Sequence, residues 1–127
     1  MHIVAIAAAL VAALVHAWFF VLESLWFMRP AVHRRFGLAT EDEARVVRSF
    51  AYNQGFYNLF LAVGAVAGVV LVTVGDAVAG RAVTLFACGS MIAAGIVLVT
   101  HNPAFLRAAL FQVVPPLVAV AAIVFLR

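Results

Sequence analysis

Apolar residues run along this chain in four long blocks, each parted from the next by a short polar interruption. The first block, His2 to Met28, closes at Arg29-Pro30. At ~1.5 Å per residue it is long enough to cross a ~30 Å hydrocarbon layer as a helix. No Lys or Arg precedes it and nothing breaks it before Met28, so it reads as a retained span, not a cleaved signal. The stretch 29–49 is polar and holds most of the charge. Within it Thr40-Glu41-Asp42-Glu43 has the spacing of a capping box, with Thr40 as N-cap and Glu43 reaching back. The second helix is therefore expected to start in water near Glu41, to enter the membrane near Phe50 and to run to about Val74. Gly75 to Gly80 reads as a turn, followed by a third span over 81–100. Asn102 is a candidate N-cap with Pro103 at the first helical position of a fourth span, 103–126. Pro115-Pro116 in that span frees backbone carbonyls and predicts a kink of about 20° or more. Spans over 2–28, 50–74, 81–100 and 103–126, joined by short connections, predict an all-α polytopic membrane protein. It is expected to be one transmembrane domain over 1–127, an antiparallel four-helix bundle.

Composition narrows the class. Hydrophobic residues make up 68% of the chain and charged ones 10%, with a mean hydropathy of +1.19. Soluble domains run closer to 45–50% apolar and about 25% charged, so a soluble fold is excluded and a lipid bilayer is the expected surrounding. The formal charge of +3 does not indicate a nucleic-acid partner. All basic residues besides histidine are Arg, five of them (Arg29, Arg34, Arg35, Arg45, Arg48) in or beside one polar loop, with no aromatic-rich basic patch for bases to stack on. Arg107 falls on the same side as those five, while Arg81 and Arg127 fall on the other. That asymmetry predicts a cell membrane protein, in a bacterium the inner membrane, with 29–49 and 101–103 cytoplasmic and both termini outside. Cys88 is the sole cysteine, so an internal disulfide and a thiolate cluster are excluded; between Ala87 and Gly89 it reads as a small packing residue.

The candidate chemistry lies where apolar runs are interrupted. Asn53-Gln54-Gly55-Phe56-Tyr57-Asn58 puts four hydrogen-bonding side chains inside a membrane-crossing segment. Such groups persist in hydrocarbon only against protein, trapped water or a ligand. Glu23 interrupts the first block, and a lone carboxylate there is protonated or paired. Depth brings these groups together: Glu23 is roughly 7–8 Å from the loop end of helix one. Asn53, Gln54, Tyr57 and Asn58 occupy the first turns of helix two from the same side; Thr100, His101, Arg107 and Gln112 are near that side on helices three and four. His16 lies seven residues before Glu23 and shares its face. Asn53 and Tyr57 share a stripe with Gly64 and Gly68, a small-xxx-small pattern that predicts close helix approach, either within the bundle or in a homo-oligomer through the Gly64/Gly68 face.

Blander readings stand beside each of these. Asn53, Gln54 and Asn58 could be interhelical glue at ~0.6 kcal/mol per bond. His16 could be a satisfied core histidine, His101 and Arg107 headgroup anchors, and Tyr57 a packing aromatic. For Glu23 the alternatives are an ion pair with Arg107 or a bond to the helix-two amides. A metal site from His16, Glu23 and His101 lacks the i, i+3 or i, i+4 spacing of a helical ligand pair, so neither metal nor cofactor is expected. P-loop, G-x-S-x-G and H-E-x-x-H motifs are missing.

The run Asn53 to Ala62 resembles the N-Q-G-x-Y-N-x-F-L-A signature of a small bacterial and fungal membrane family known as domain of unknown function 1304. His16 to Trp26 is similar to its H-x-x-x-x-x-x-E-x-x-W element, and Gln112 followed by Pro115 to a closing Q-x-x-P. Val113 and Pro116 depart from the pattern, standing where Gly and a small residue are expected. The resemblance implies a four-helix membrane fold without an established activity. It further implies that His16, Glu23, Asn53, Gln54, Tyr57, Asn58 and Gln112 belong to one site. Arg45, Arg48 and Asn53 are also loosely similar to the membrane-associated eicosanoid and glutathione enzymes, whose Asn-x-x-Glu element is absent here.

Three functions fit these residues. In the first, a polar pocket in the cytoplasmic half binds or converts a small lipophilic molecule. Glu23 would then be the proton donor or acceptor, with His16 and Tyr57 beside it, while Asn53, Gln54, Asn58, Gln112, His101 and Arg107 hold the ligand. In the second, the chain is a structural or accessory membrane subunit whose polar groups fix helix pairing. In the third it is a small proton-coupled transporter.

Overall fold

A computed structural model describes residues 1–126 and is all-α, with no strand among the described residues. Helix α1 (Ile3–Phe20) continues as a π-helical turn, Val21–Leu25. The short α2 (Pro30–His33) leads through a 3-10 turn to α3 (Glu41–Thr73), then α4 (Ala77–His101), a second 3-10 turn (Pro103–Phe105) and α5 (Leu106–Phe125). Four helical segments, Ile3–Leu25, Glu41–Thr73, Ala77–His101 and Pro103–Phe125, are long and apolar enough to cross a membrane. The protein is thus a multi-pass membrane protein. Arg127, which entered the count of charges on each side, lies outside the described residues.

Helix ends follow local chemistry. The Thr40 hydroxyl accepts from the Glu43 amide at 3.2 Å, and Glu43 Oε2 accepts from the Thr40 and Ala39 amides at 3.2 and 2.7 Å. That reciprocal pattern is the expected capping box, and it starts α3 at Glu41. Asn102 accepts from the Ala104 amide at 3.0 Å with Pro103 following it, also as expected. The third span differs: it begins at Ala77, four residues before Arg81, because the Asp76 carboxylate caps the Ala79 amide at 3.0 Å. Only Gly75, at φ +105°, takes the left-handed turn conformation there. The first span also ends early, at Leu25 and not Met28. Past the π-helical turn Arg29 binds back to Trp26, its N–H donating to the Trp26 carbonyl. Helix α5 continues through Pro115 and Pro116.

The chain forms two compact units, Met1–His16 with the chain from Leu61 onward, and Ala17–Phe60. In the first, small residues let backbones meet. Lipid supplies no hydrophobic drive between helices, so dispersion across close backbones has to hold them. A Cβ on Gly68 would fall on Thr84 Oγ1, 2.7 Å from the Thr84 nitrogen and 2.9 Å from the Gly80 carbonyl. One on Gly80 would fall 2.7 Å from both the Gly68 carbonyl and the Val72 nitrogen. Gly64 lies on Ala87, its virtual Cβ 3.4 Å from the Ala87 methyl. The Gly64/Gly68 face therefore packs against α4 of the same chain. Gly80, expected in a turn, is a packing glycine inside α4. Gly95 admits Val113 of α5, and Ala9, Val69, Cys88 and Ala119 form a buried cluster of small side chains.

The second unit is aromatic. Phe56 meets Phe20 edge-on at 5.0 Å and Tyr52 at 5.1 Å, while Trp18 meets Trp26 edge-on at 5.5 Å. The Arg29 guanidinium lies 4.3 Å from the Trp26 ring centroid. Gly37 at φ +81° ends the 3-10 turn, and the buried His33 donates from Nδ1 to the Leu38 carbonyl at 2.8 Å.

Candidate functional site

Glu23 sits in the middle of the π-helical turn. The turn is defined by a bond five residues apart, Trp26 N–H to the Val21 carbonyl at 2.9 Å. Inserting one residue into a helix re-aims the side chains around it, and single π turns are frequent at functional sites. Its partner surface is a three-residue stripe on α3: Tyr52, Gly55 and Asn58. Residues three apart share a helix face, so these present one edge to 23–24. Gly55 lets that edge come close. A Cβ there would fall on Ser24 Oγ, 3.1 Å from the Ser24 nitrogen and 3.2 Å from Glu23 Cβ. Ser24 Oγ donates to the Tyr52 carbonyl at 2.8 Å. Asn58 Nδ2 donates to Glu23 Oε2 at 2.7 Å. A carboxyl and an amide inside two membrane-length helices thus meet through an interhelical bond, the second of the two structural alternatives open to Glu23.

Asn58 is buried and Glu23 half-buried. Oε1 of Glu23 accepts no hydrogen bond from the described residues. The group keeps an oxygen for something else: an acceptor when ionised, a site for the O–H donor when protonated.

The remaining polar residues of α3 face elsewhere. Asn53, Gln54 and Tyr57 are exposed, Tyr57 by 58%. At 100° per residue Asn53 lies roughly 160° around the helix from Gly55. The stripe of Asn53 and Tyr57, expected to face inward, therefore points away from the Glu23 contact. His16 and Gln112 belong to the other unit. His16 is fully buried, its Nδ1–H donating to the Ala12 carbonyl of its own helix at 2.9 Å. Gln112 Nε2 donates across to the Met91 carbonyl of α4 at 3.4 Å. His101 and Arg107 are exposed at the start of the last connection and of α5. No group of three or more His, Cys, Asp or Glu side chains converges among the described residues.

Ser24, Gly55 and the Tyr52 carbonyl were not singled out from the sequence. A glycine in mid-helix between two amides was the available signal, since such a residue costs helix stability unless something packs on it.

A family model described as "Protein of unknown function (DUF1304)" matches residues 10–124, a range that includes Glu23, Gly55 and Asn58. No curated protein and no solved structure matches the chain.

Proposed function

The chain belongs to the DUF1304 family, whose description names no function, and from the Glu23 contact we propose a binding site for the polar head of a small lipophilic molecule. Glu23 is the group that engages the head, as proton donor or acceptor, and Asn58 holds its carboxyl in place. The supporting observation is the Asn58–Glu23 bond of 2.7 Å on a π-helical turn, with one carboxyl oxygen left for a ligand. An ionisable residue within a membrane span is a functional candidate by default because hydrocarbon penalises it otherwise.

The test is chemical. Wild-type protein and the Glu23→Gln variant are purified in mild detergent, and the lipophilic molecules that accompany each are quantified by mass spectrometry. Glutamine keeps the acceptor oxygen toward Asn58 but cannot ionise. The variant should retain the wild-type melting temperature while the accompanying molecule falls by about tenfold, the worth of one charge-assisted bond. Equal retention in both proteins rejects the site.

A second reading, a structural or accessory subunit, is favoured by the same bond together with Ser24 to Tyr52, since both fasten 23–24 to α3. In that case Glu23→Leu changes only thermal stability or partner co-purification.

We further propose that the protein resides in the cell membrane, the inner membrane of a bacterium, with the 29–49 loop in the cytoplasm. Support comes from the arginine asymmetry of the sequence. A cysteine replacing the exposed Ala39 of that loop, in a Cys88→Ala background, should resist an impermeant maleimide in intact cells and react after lysis. Labelling in intact cells reverses the orientation.

A further inference from the structure

Helix α3 is longer than a bilayer core requires. Its 33 residues span ~50 Å against ~30 Å of hydrocarbon. Counting roughly 20 residues back from the polar turn at Gly75-Asp76 brings the hydrocarbon boundary to the region of Tyr52 to Gln54. Ser49, Arg48 and Arg45 then fall roughly 5–13 Å outside it, at headgroup level. There the side chains of Arg45, Arg48, Ser49 and Tyr52 line an open groove of about 490 Å³.

The four residues occupy one face, at spacings of three, four and seven, so the two guanidinium groups are neighbours one turn apart. Arg45 is held by Glu41 at 2.6 Å, which leaves Arg48 as the uncompensated charge of the groove. Among the described residues the Arg48 guanidinium, the Ser49 hydroxyl and the Tyr52 hydroxyl make no hydrogen bond. The groove thus offers one net positive charge, a fork of N–H donors and two hydroxyls. Below it Tyr52, Phe56 and Phe60 follow each other down the helix, with ring centroids 5.1 and 6.2 Å apart. Tyr52 and Phe60 are both more than half exposed.

We propose that this groove binds the phosphodiester head of an anionic phospholipid, with the acyl chains lying along Tyr52, Phe56 and Phe60. One negative charge without a compensating ammonium matches the single free positive charge of Arg48. Bidentate guanidinium–phosphate pairing supplies the geometry, and the phenol sits at the boundary where interfacial tyrosines collect. The site shares no side chain with the Glu23 site and does not depend on that reading.

The experiment is competitive lipid retention. Wild-type, Arg48→Gln and Arg35→Gln proteins are equilibrated in detergent with equal phosphatidylglycerol and phosphatidylcholine, and bound lipids are counted by native mass spectrometry. Arg35 is an exposed arginine outside the groove, so its loss reports general attraction of the basic loop. The wild type should favour phosphatidylglycerol, Arg48→Gln should lower that preference by about tenfold, and Arg35→Gln by no more than about twofold. Equal losses in the two variants, or an unchanged preference in Arg48→Gln, overturn the proposal. A parallel arm adds inorganic phosphate without lipid. If phosphate alone raises the melting temperature through Arg48 and phosphatidylglycerol adds nothing, the ligand is a free anion and the lipid assignment fails.

Discussion

Gly68→Val is expected to leave little folded protein in mild detergent. The first added carbon would already meet the Thr84 nitrogen at 2.7 Å and the Gly80 carbonyl at 2.9 Å. These are backbone atoms of α4 and cannot rotate aside, so the helices must separate. Separation is amplified by reciprocity, since Gly80 rests in turn on the backbone of Gly68 and Val72. Overpacking costs about 1–3 kcal/mol where side chains can adjust and more where they cannot. A total stability of about 5–15 kcal/mol tolerates little of that. Thermal unfolding and size-exclusion profiles in detergent provide the measurement. Gly89→Ala is the control: a Cβ there meets nothing within 4 Å, and alanine favours helix by up to about 1 kcal/mol. Its melting temperature should equal or exceed that of the wild type. A Gly68→Val protein that melts with the wild type would show that these helices do not depend on the contact.

That pair of glycines also marks where sequence reasoning succeeds and where it stops. Caps at Thr40 and Asn102 were legible because a capping side chain reaches only two or three residues along its own chain. Membrane-length blocks were legible because hydrocarbon thickness sets a length that composition alone can meet. Gly80 packs inside α4 although the sequence reads it as a turn, because a packing glycine and a turn glycine look alike until the partner helix is known. Within Asn53 to Asn58 the polar side chains spread over an arc of about 140°. No rule of periodicity chooses which edge of so broad an arc turns inward. Burial selects Asn58, the edge nearest Gly55, and leaves Asn53, Gln54 and Tyr57 outside. The acid–amide partnership of Glu23 with α3 could be anticipated, since each group is costly in hydrocarbon without a partner. The π-helical turn could not. No residue type encodes it, and the bonds of Ser24 and Glu23 to α3 join residues 28 and 35 positions apart.

Gly55→Val should therefore be the most damaging single change to the Glu23 contact without touching a polar side chain. Ser24 Oγ occupies the space a Cβ would take, so even alanine would have to turn that hydroxyl away from the Tyr52 carbonyl it binds at 2.8 Å. Alanine also comes within 3.1 Å of the Ser24 nitrogen and 3.2 Å of Glu23 Cβ, which moves of a few tenths of an ångström could relieve. Loss of one such hydrogen bond amounts to about 1 kcal/mol. Valine adds two methyl groups against a backbone already in contact, so the 21–25 turn must withdraw from α3 and carry the Glu23 carboxyl out of reach of Asn58. The expected cost is about 3 kcal/mol. Glu23→Gln, by contrast, should leave the melting temperature nearly unchanged. Combining Gly55→Val with Asn58→Leu distinguishes loss of this contact from general damage. If the valine has already broken the Glu23–Asn58 bond, removing the amide costs little more, and the two effects fall short of additive by about 1 kcal/mol or more. Strict additivity of the two melting shifts would mean that the bond survives in the valine variant, and that close approach at Gly55 is not what brings the acid to its amide.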